Sequence, residues 1–600
     1  MRLADLGAKL IFADRSDAAE WDPDFFTPEQ AKKAILAHEK ACATAANKAR
    51  EAGASKDLLR ARDELQDHAL RKYRDHPDGT VFTLLLPTGY GKTLTGLRIA
   101  LEAVATGRCK RLIYVAPYIS ILSQAAAVIR DATGINEVFL HHHLSILGTG
   151  DNDAQREDHQ RYDLLDTWQA PIVATTFNQL FRALFPARAQ ECLRIPALDE
   201  GFVFIDEPQV VDPGTWCAFL RAMSVAASER RCQVLFATAT LPPLEDGLGV
   251  ATKAVSLADD VRPAVGRYVI TTTTEPWNTE RVRREVTKAF DQTRSVAVIL
   301  NTVRDAVDVF NGIAGKPNPN WFFLAAMMLP GHKARIIAEI KHRLDPKNSD
   351  GRPTGVACTQ ILEAGVDLSF RALFRATPIF SSIAQSAGRA NRHGEGKLSE
   401  VVVFPFCRDD GTDSRKFVYR DSTFVPVTDA VLAANPRIDE SELPQVMAEF
   451  YKKCWAENAR TESLGWFGRA AHGEWTALAG REPFGGDYPR IDVLVPFAES
   501  FLADHHRRIL ESFGVKTAGE LLDGYAQGDL ISGIIGKDLF IRRKQLSALL
   551  QQFTVAVPLK IADRDGFSEE VRDRFGNPLW LRRLCDGDAY GVLTGFARIT

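Results

Sequence analysis

Residues 81–105 read VFTLLLPTGYGKTLTGLRIALEAVA, and the order of the pieces decides the fold. The apolar run Val81 to Leu86 has the length of a buried strand, and Leu94 to Ala105 carries a helical pattern. Between them lies Pro87-Thr88-Gly89-Tyr90-Gly91-Lys92-Thr93. A strand, a Gly-rich turn ending Gly-Lys-Thr and a helix opening at Leu94 make a phosphate cradle. Backbone N–H groups of the turn face the phosphates, Lys92 reaches the β- and γ-phosphates, and the Thr93 hydroxyl holds magnesium. The tripeptide alone decides little, since chance supplies it about 0.3 times in a chain of this length. Leu86 also stands where the full pattern has a further glycine. The strand and helix around it favour the cradle, and an ordinary βα turn with a solvated lysine is the alternative.

Working outward, strand-like runs alternate with helical patterns from about 80 to 242: VFTLLL, RLIYVA, PIVATT, GFVFID and QVLFAT. Such alternation implies a parallel sheet covered by helices on both faces. A second alternating block offers strands at Ser295 to Asn301, Trp321 to Ala325, Thr354 to Thr359, Leu373 to Thr377 and Glu400 to Phe406. The fold class is therefore α/β, with two domains in tandem. We expect a helical N-terminal segment over 1–75, a first α/β domain over 76–255, a second over 256–410, and a C-terminal accessory domain over 411–600.

Bulk numbers agree with this. A chain of 600 residues exceeds one hydrophobic core. No run of about 18 apolar residues offers a membrane span, and the first residues lack the layout of a signal peptide. Nine cysteines are scattered without a C-x-x-C pair, which suggests a cytoplasmic protein with reduced thiols. A net charge of −3 gives no global basic field, so any nucleic acid must meet a local channel.

Further motifs follow the turn. GFVFIDEPQ runs four apolar residues into Asp206 and Glu207. Asp206 there can bind a magnesium hydration shell, while Glu207 positions and deprotonates an attacking water. Solvated acids at a strand end give the same pattern. Ala237-Thr238-Ala239-Thr240 follows the next strand, where Thr238 and Thr240 can couple the acidic site to a bound chain. In the second block, Thr359 to Asp367 reads TQILEAGVD and Gln385 to Arg392 reads QSAGRANR. On a helix, Gln385, Arg389 and Arg392 share one face and can stabilise γ-phosphate charge. A solvated basic face is the alternative.

Taken in order, the phosphate loop, D-E-x-x box, T-A-T segment and Q-x-x-G-R-x-x-R resemble the superfamily 2 helicases over roughly residues 60 to 400. RLIYVAPYISILSQ, HHHLS, PIVATTFNQLF, IDEPQ, FATATLPP, LPGHKARIIAEI, TQILEAGVDLSF and QSAGRANRHGE are similar to a narrower group, the CRISPR-associated helicase–nuclease of type I interference. The resemblance implies two RecA-like domains with ATP and magnesium between them. It implies an adenine-reading element at Arg62 to Gln66, coupling of closure to ATP through Gly365 and Asp367, and single-stranded DNA contacts from Pro117, Tyr118, Thr175, Thr176, Asn301, Thr302, Thr359 and Gln360. A guide-RNA surveillance complex is the implied partner. An RNA helicase of the same superfamily, and a nucleotide-dependent clamp that does not translocate, are the two rival readings.

That family usually carries a metal nuclease built on an adjacent His-Asp pair. None of the 13 histidines here is followed by aspartate. KLIFADRSDAAE at residues 9–20 resembles the closing helix of such a nuclease, and Asp14 or Asp17 reads either as an orphaned ligand or as a surface acid. We expect a helicase-only form whose HD-type nuclease is a separate subunit.

Overall fold

The computed structural model describes residues 2–18, 24–51, 54–142, 167–250, 252–258, 266–314, 318–345, 351–363, 366–394, 397–419, 423–457, 461–484, 490–495, 501–534, 536–563, 568–572, 578–585, 590 and 595. Its first sheet contains β1 (Val81–Leu85), β2 (Arg111–Ala116), β3 (Val138–His141), β4 (Ile172–Thr176), β5 (Gly201–Asp206), β6 (Gln233–Thr238) and β7 (Ala254–Ser256), all parallel, in the order β3-β4-β2-β5-β6-β1-β7. Strands β2, β4, β5 and β6 are buried at every residue, as a parallel sheet with helices on both faces requires.

The second sheet contains β8 (Tyr268–Thr272), β9 (Ser295–Ile299), β10 (Trp321–Leu324), β11 (Thr354–Cys358), β12 (Ala372–Ala376), β13 (Ser399–Phe404) and β14 (Arg437–Asp439), in the order β10-β11-β9-β12-β13-β8-β14. Numbered from its own first strand, this sheet repeats the first sheet's order, 3-4-2-5-6-1-7. The last strand differs: β14 runs antiparallel to β8, whereas β7 is parallel to β1. The chain therefore builds one α/β plan twice, the architecture of tandem RecA-like domains.

All ten strands read from sequence are present. The four strands of these two sheets that were not read have physical reasons to hide. β3, β7 and β14 are edge strands of three or four residues with partial burial, and β8 ends in a run of threonines. The second sheet takes β14 from beyond the expected boundary at 410, and helices Phe424–Ala434 and Leu443–Glu457 complete the core on one of its faces. Leu464, Trp466 and Phe467 return to the first sheet's core.

Two N-terminal helices, Pro28–Glu51 and Lys56–Asp75, cover helix Lys92–Ala105 and share one core with it. A smaller sheet of β15 (Arg490–Leu494), β16 (Thr554–Pro558), β17 (Ser568–Arg572) and β18 (Pro578–Cys585) has its own core, which takes in Met327 and Leu329 of the second lobe. Among the described residues, no helix is long and apolar enough to cross a membrane.

Candidate functional site

In both lobes the candidate residues sit at the carboxyl ends of parallel strands, where a doubly wound sheet opens its ligand crevice. Pro87 to Thr93 follow β1. Gly89 and Gly91 hold φ of 82° and 81°, a left-handed conformation that costs glycine little. Helix Lys92–Ala105 begins directly after them, so its N-terminal end faces the loop. Leu86, the departure from the full pattern, is buried, and its N–H donates to the Thr238 carbonyl at 3.1 Å. The chain therefore keeps its contact with β6 one residue beyond Leu85 before the loop begins.

Lys92 Nζ forms an ion pair with Glu207 Oε1 across the crevice. Glu207 follows β5 directly in a left-handed conformation, φ 53°, which is strained for a residue with a Cβ. Its other oxygen accepts from Gln209 Nε2 at 2.6 Å and Thr238 Oγ1 at 3.0 Å. Burial disfavours the Glu207 carboxylate, but Lys92 and these donors outweigh it and hold the group below its ordinary range. Asp206 beside it moves the other way. Burial and the charge of Glu207 push it up to about 6, although Tyr114 donates to Oδ2 at 2.6 Å. Asp206 Oδ1 is buried with no hydrogen-bond partner. Thr93 interacts with the same Tyr114 hydroxyl. A buried carboxylate oxygen left bare beside a threonine hydroxyl fits a cation, and Thr93 and Asp206 are the residues that would hold it.

The second lobe closes against this loop. A Cβ on Gly388 would overlap the Thr88 side chain, so glycine alone permits the approach. The expected shared helical face does not form. Helix Phe380–Ala387 carries Gln385 but ends before the arginines, because Ala390 pairs with Phe370 and Asn391 turns to φ 44°. Arg389 is buried and donates to the Leu362 and Glu363 carbonyls, both at 2.8 Å, so it braces its own lobe. Arg392 pairs with Asp367 at 2.8 Å. Gly365 lies outside the described residues.

Arg62 and Gln66 share helix Lys56–Asp75. Arg62 is half-buried near Arg267, Arg392, Tyr90 and Asp367, and its Nε is buried without a partner. Gln66 faces Cys42.

The expected nucleic-acid residues fall into two groups. Pro117 and Tyr118 follow β2, with Tyr118 exposed, while Thr175 and Thr176 end β4. Thr175 is fully buried and its hydroxyl donates to the His141 carbonyl at 3.0 Å. On the second lobe, Asn301 is buried between Arg375 and the Thr377 carbonyl, and Gln360 donates to the Asn301 carbonyl at 3.2 Å. Thr302 bonds Asp305 at 2.6 Å, and Thr359 is buried. Asn301 and Thr175 therefore shape their loops with their side chains and leave backbone and neighbours to face a ligand. Thr240 is buried at the other end of the Thr238 contact, its carbonyl 3.0 Å from Thr238 Oγ1.

Two residues at the site have no signature in the sequence reading. Tyr114 lies mid-strand in an apolar run, and Gln209 is the fourth letter of D-E-P-Q, whose contact with Thr238 needs two strands side by side.

A family model described as DEAD/DEAH box helicase matches residues 63–246, and one described as CRISPR-associated nuclease/helicase Cas3, C-terminal, matches residues 292–395. A CRISPR-associated nuclease/helicase Cas3 of Haloferax volcanii is 25% identical over 438 residues, covering 55% of this chain and 47% of the relative. The chain spans about half the length of the curated relatives it matches. Among solved structures, a crystal structure of T. fusca Cas3-AMPPNP superposes with a TM-score of 0.60 at 16% identity, covering 84% of this chain and 65% of that one. A chain from a structure titled CRISPR RNA-guided surveillance complex, pre-nicking, superposes at 0.52 with 17% identity, covering 84% and 64%. Both family models lie in order on the two repeated sheets, so across both lobes the chain is similar to Cas3-type helicases.

Proposed function

We propose that this chain hydrolyses ATP to move along DNA, unwinding target DNA marked by a guide-RNA complex while a separate chain supplies the nuclease. The observation that carries the reading is the convergence of Lys92, Asp206 and Glu207 beyond the carboxyl ends of β1 and β5, which flank β6, against a phosphate loop closed by the second lobe. Pro87 to Leu94 cradle the phosphates and Lys92 transfers its charge from Glu207 to them. Glu207, still held by Thr238 and Gln209, then accepts a proton from the attacking water. Thr93 and Asp206 would hold magnesium, which neutralises phosphate charge when bound. Gln385, Arg389 and Arg392 complete the site from the second lobe, and Gly365 and Asp367 tie its closure to ATP. Arg62 and Gln66 face the base. Pro117, Tyr118, Thr175, Thr176, Asn301, Thr302, Thr359 and Gln360 form the track for single-stranded DNA, and Thr238 and Thr240 couple it to Glu207. The surveillance-complex neighbour supports a guide-RNA assembly as partner.

Lys92→Ala and Glu207→Gln should each lower ATP turnover by about a hundredfold or more with melting behaviour preserved. Wild-type turnover in either folded variant sinks the site. Displacement of a labelled strand with ATP, absent with a non-hydrolysable analogue, separates translocation from clamping. Stronger stimulation of ATPase by RNA than by single-stranded DNA would select the RNA-helicase reading instead.

A further inference from the structure

The phosphate loop is also gripped from the second lobe by a residue outside every motif. Arg267 stands immediately before β8 and is fully buried. Its Nη1 donates to the Thr88 carbonyl at 2.7 Å and to the Arg392 carbonyl at 3.1 Å. Nε and Nη2 both donate to Glu440 Oε1, and the Arg267 N–H donates to Glu440 Oε2 at 2.8 Å. The guanidinium lies 5.3 Å from the centre of the Tyr90 ring. Asn391 Nδ2 donates to the Arg267 carbonyl at 3.1 Å, which ties the residue to the QSAGRANR segment. On the loop side, a Cβ on Gly89 would stand 2.9 Å from Nη1, so this glycine admits the guanidinium as well as its own φ.

A buried Arg–Glu pair adds little net stability over an apolar pair of the same size. Arg62 is close enough to repel the guanidinium further, and Glu440 offsets it. What the pair supplies is direction. A planar fork fixed on both sides points one N–H at one carbonyl. The Thr88 carbonyl and the Gly89 N–H belong to one rigid peptide plane, so fixing the oxygen fixes the N–H. That N–H is one of the donors the phosphate cradle needs.

We infer that Arg267 is a positioning residue for the phosphate loop, setting the Thr88–Gly89 peptide from the second lobe so that the cradle is complete only when the lobes are together. The consequence for turnover rests on the ATP-hydrolysis reading above; the contact itself does not. The double variant Arg267→Met/Glu440→Leu removes the grip without leaving a buried charge. It should bind a fluorescent ATP analogue within about threefold of wild type, while kcat falls by about tenfold or more and KM changes little. Amide exchange at residues 87–93 should quicken in the same variant. If the double variant does not fold, Arg267→Lys, which keeps the charge and loses the fork, should show the same exchange change. Unchanged exchange together with kcat within about twofold of wild type overturns the inference. Wild-type protein that hydrolyses no ATP, yet loses exchange protection when the grip is removed, overturns the proposed function and leaves this inference standing.

Discussion

Asp206 shows how chemistry and stability pull apart at a single residue. Its pKa is raised to about 6 by burial and by Glu207, so the folded protein holds that proton more tightly than the unfolded chain does. Lowering the pH from about 6 towards the ordinary carboxylate range therefore favours the fold through this group, while it removes the charge a cation needs. We expect ATPase activity to fall as the pH drops through about 6, with more magnesium required on the acid side. Tyr114→Phe deletes the donor that stabilises the Asp206 carboxylate, so the acid limb of the rate profile should move to higher pH. Loss of one hydrogen bond to a charged group should weaken the apparent magnesium affinity at pH 7 by about tenfold. An unmoved acid limb would detach that limb from Asp206. Asp206→Asn should mimic the protonated state: no turnover, but about 1 to 2 kcal/mol more stability at pH 7, read from denaturant midpoints. The acids themselves were legible because charged letters interrupt an apolar run. Tyr114 was not, because a tyrosine inside RLIYVA looks like core until the neighbouring strand places Asp206 against its hydroxyl.

Elements were legible where a continuous apolar run or a long periodic stretch exists, and hidden where tertiary pairing makes the element. Most interior strands of both sheets were read because burial leaves largely apolar runs; β8 was not, as it ends in threonines, and β3, β7 and β14 exist only as ladders on an edge. The misreading of Gln385 to Arg392 has the same origin. Spacing of three suggests a helix, but the Phe370–Ala390 bridge and the hydrogen bonds of Arg389 to Leu362 and Glu363 end the helix at Ala387. Helix Lys56–Asp75 shows how an N-terminal element serves the site. Tyr73 is fully buried, its ring centroid 5.1 Å from that of Phe82 on β1, and its hydroxyl donates to Gln233 at 2.6 Å on β6. Tyr73→Ala should cost about 3 to 5 kcal/mol in the first urea transition and loosen the helix that carries Arg62. Tyr73→Phe should cost about 1 kcal/mol. Equal costs for the two variants would show that the helix docks by other contacts.

At the scale of the whole molecule, repetition of one strand order places two crevices on one chain, and the motifs divide between them. That division explains why the joint reading succeeded where each motif alone was ambiguous. Phosphate-loop, D-E-P-Q and QSAGRANR segments are distant in sequence, yet Thr88 and Gly388 end in direct contact. The third sheet was not legible, since β15 and β16 are five-residue strands and, among the described residues, three α-helices lie between them in the sequence. The chain also bears on cutting as well as movement. Among the described residues, no group of three or more His, Cys, Asp or Glu side chains is placed to hold a metal ion. None of the 13 histidines precedes an aspartate, Asp14 is exposed on helix Arg2–Ala18, and Asp504 opens a helix ahead of two histidines in reversed order. A two-metal nuclease needs a clamp of several such ligands to hold its ions about 3.5 to 4 Å apart. On the separate-subunit reading proposed above, the purified chain should displace strands with ATP but leave single-stranded DNA intact when manganese, nickel or cobalt is added. The measurement is a gel assay on end-labelled single-stranded DNA, with Lys92→Ala as the control for ATP-dependent effects. Cleavage that appears with those ions, survives Lys92→Ala and is lost on chelation would place a metal nuclease in this chain and overturn the separate-subunit reading.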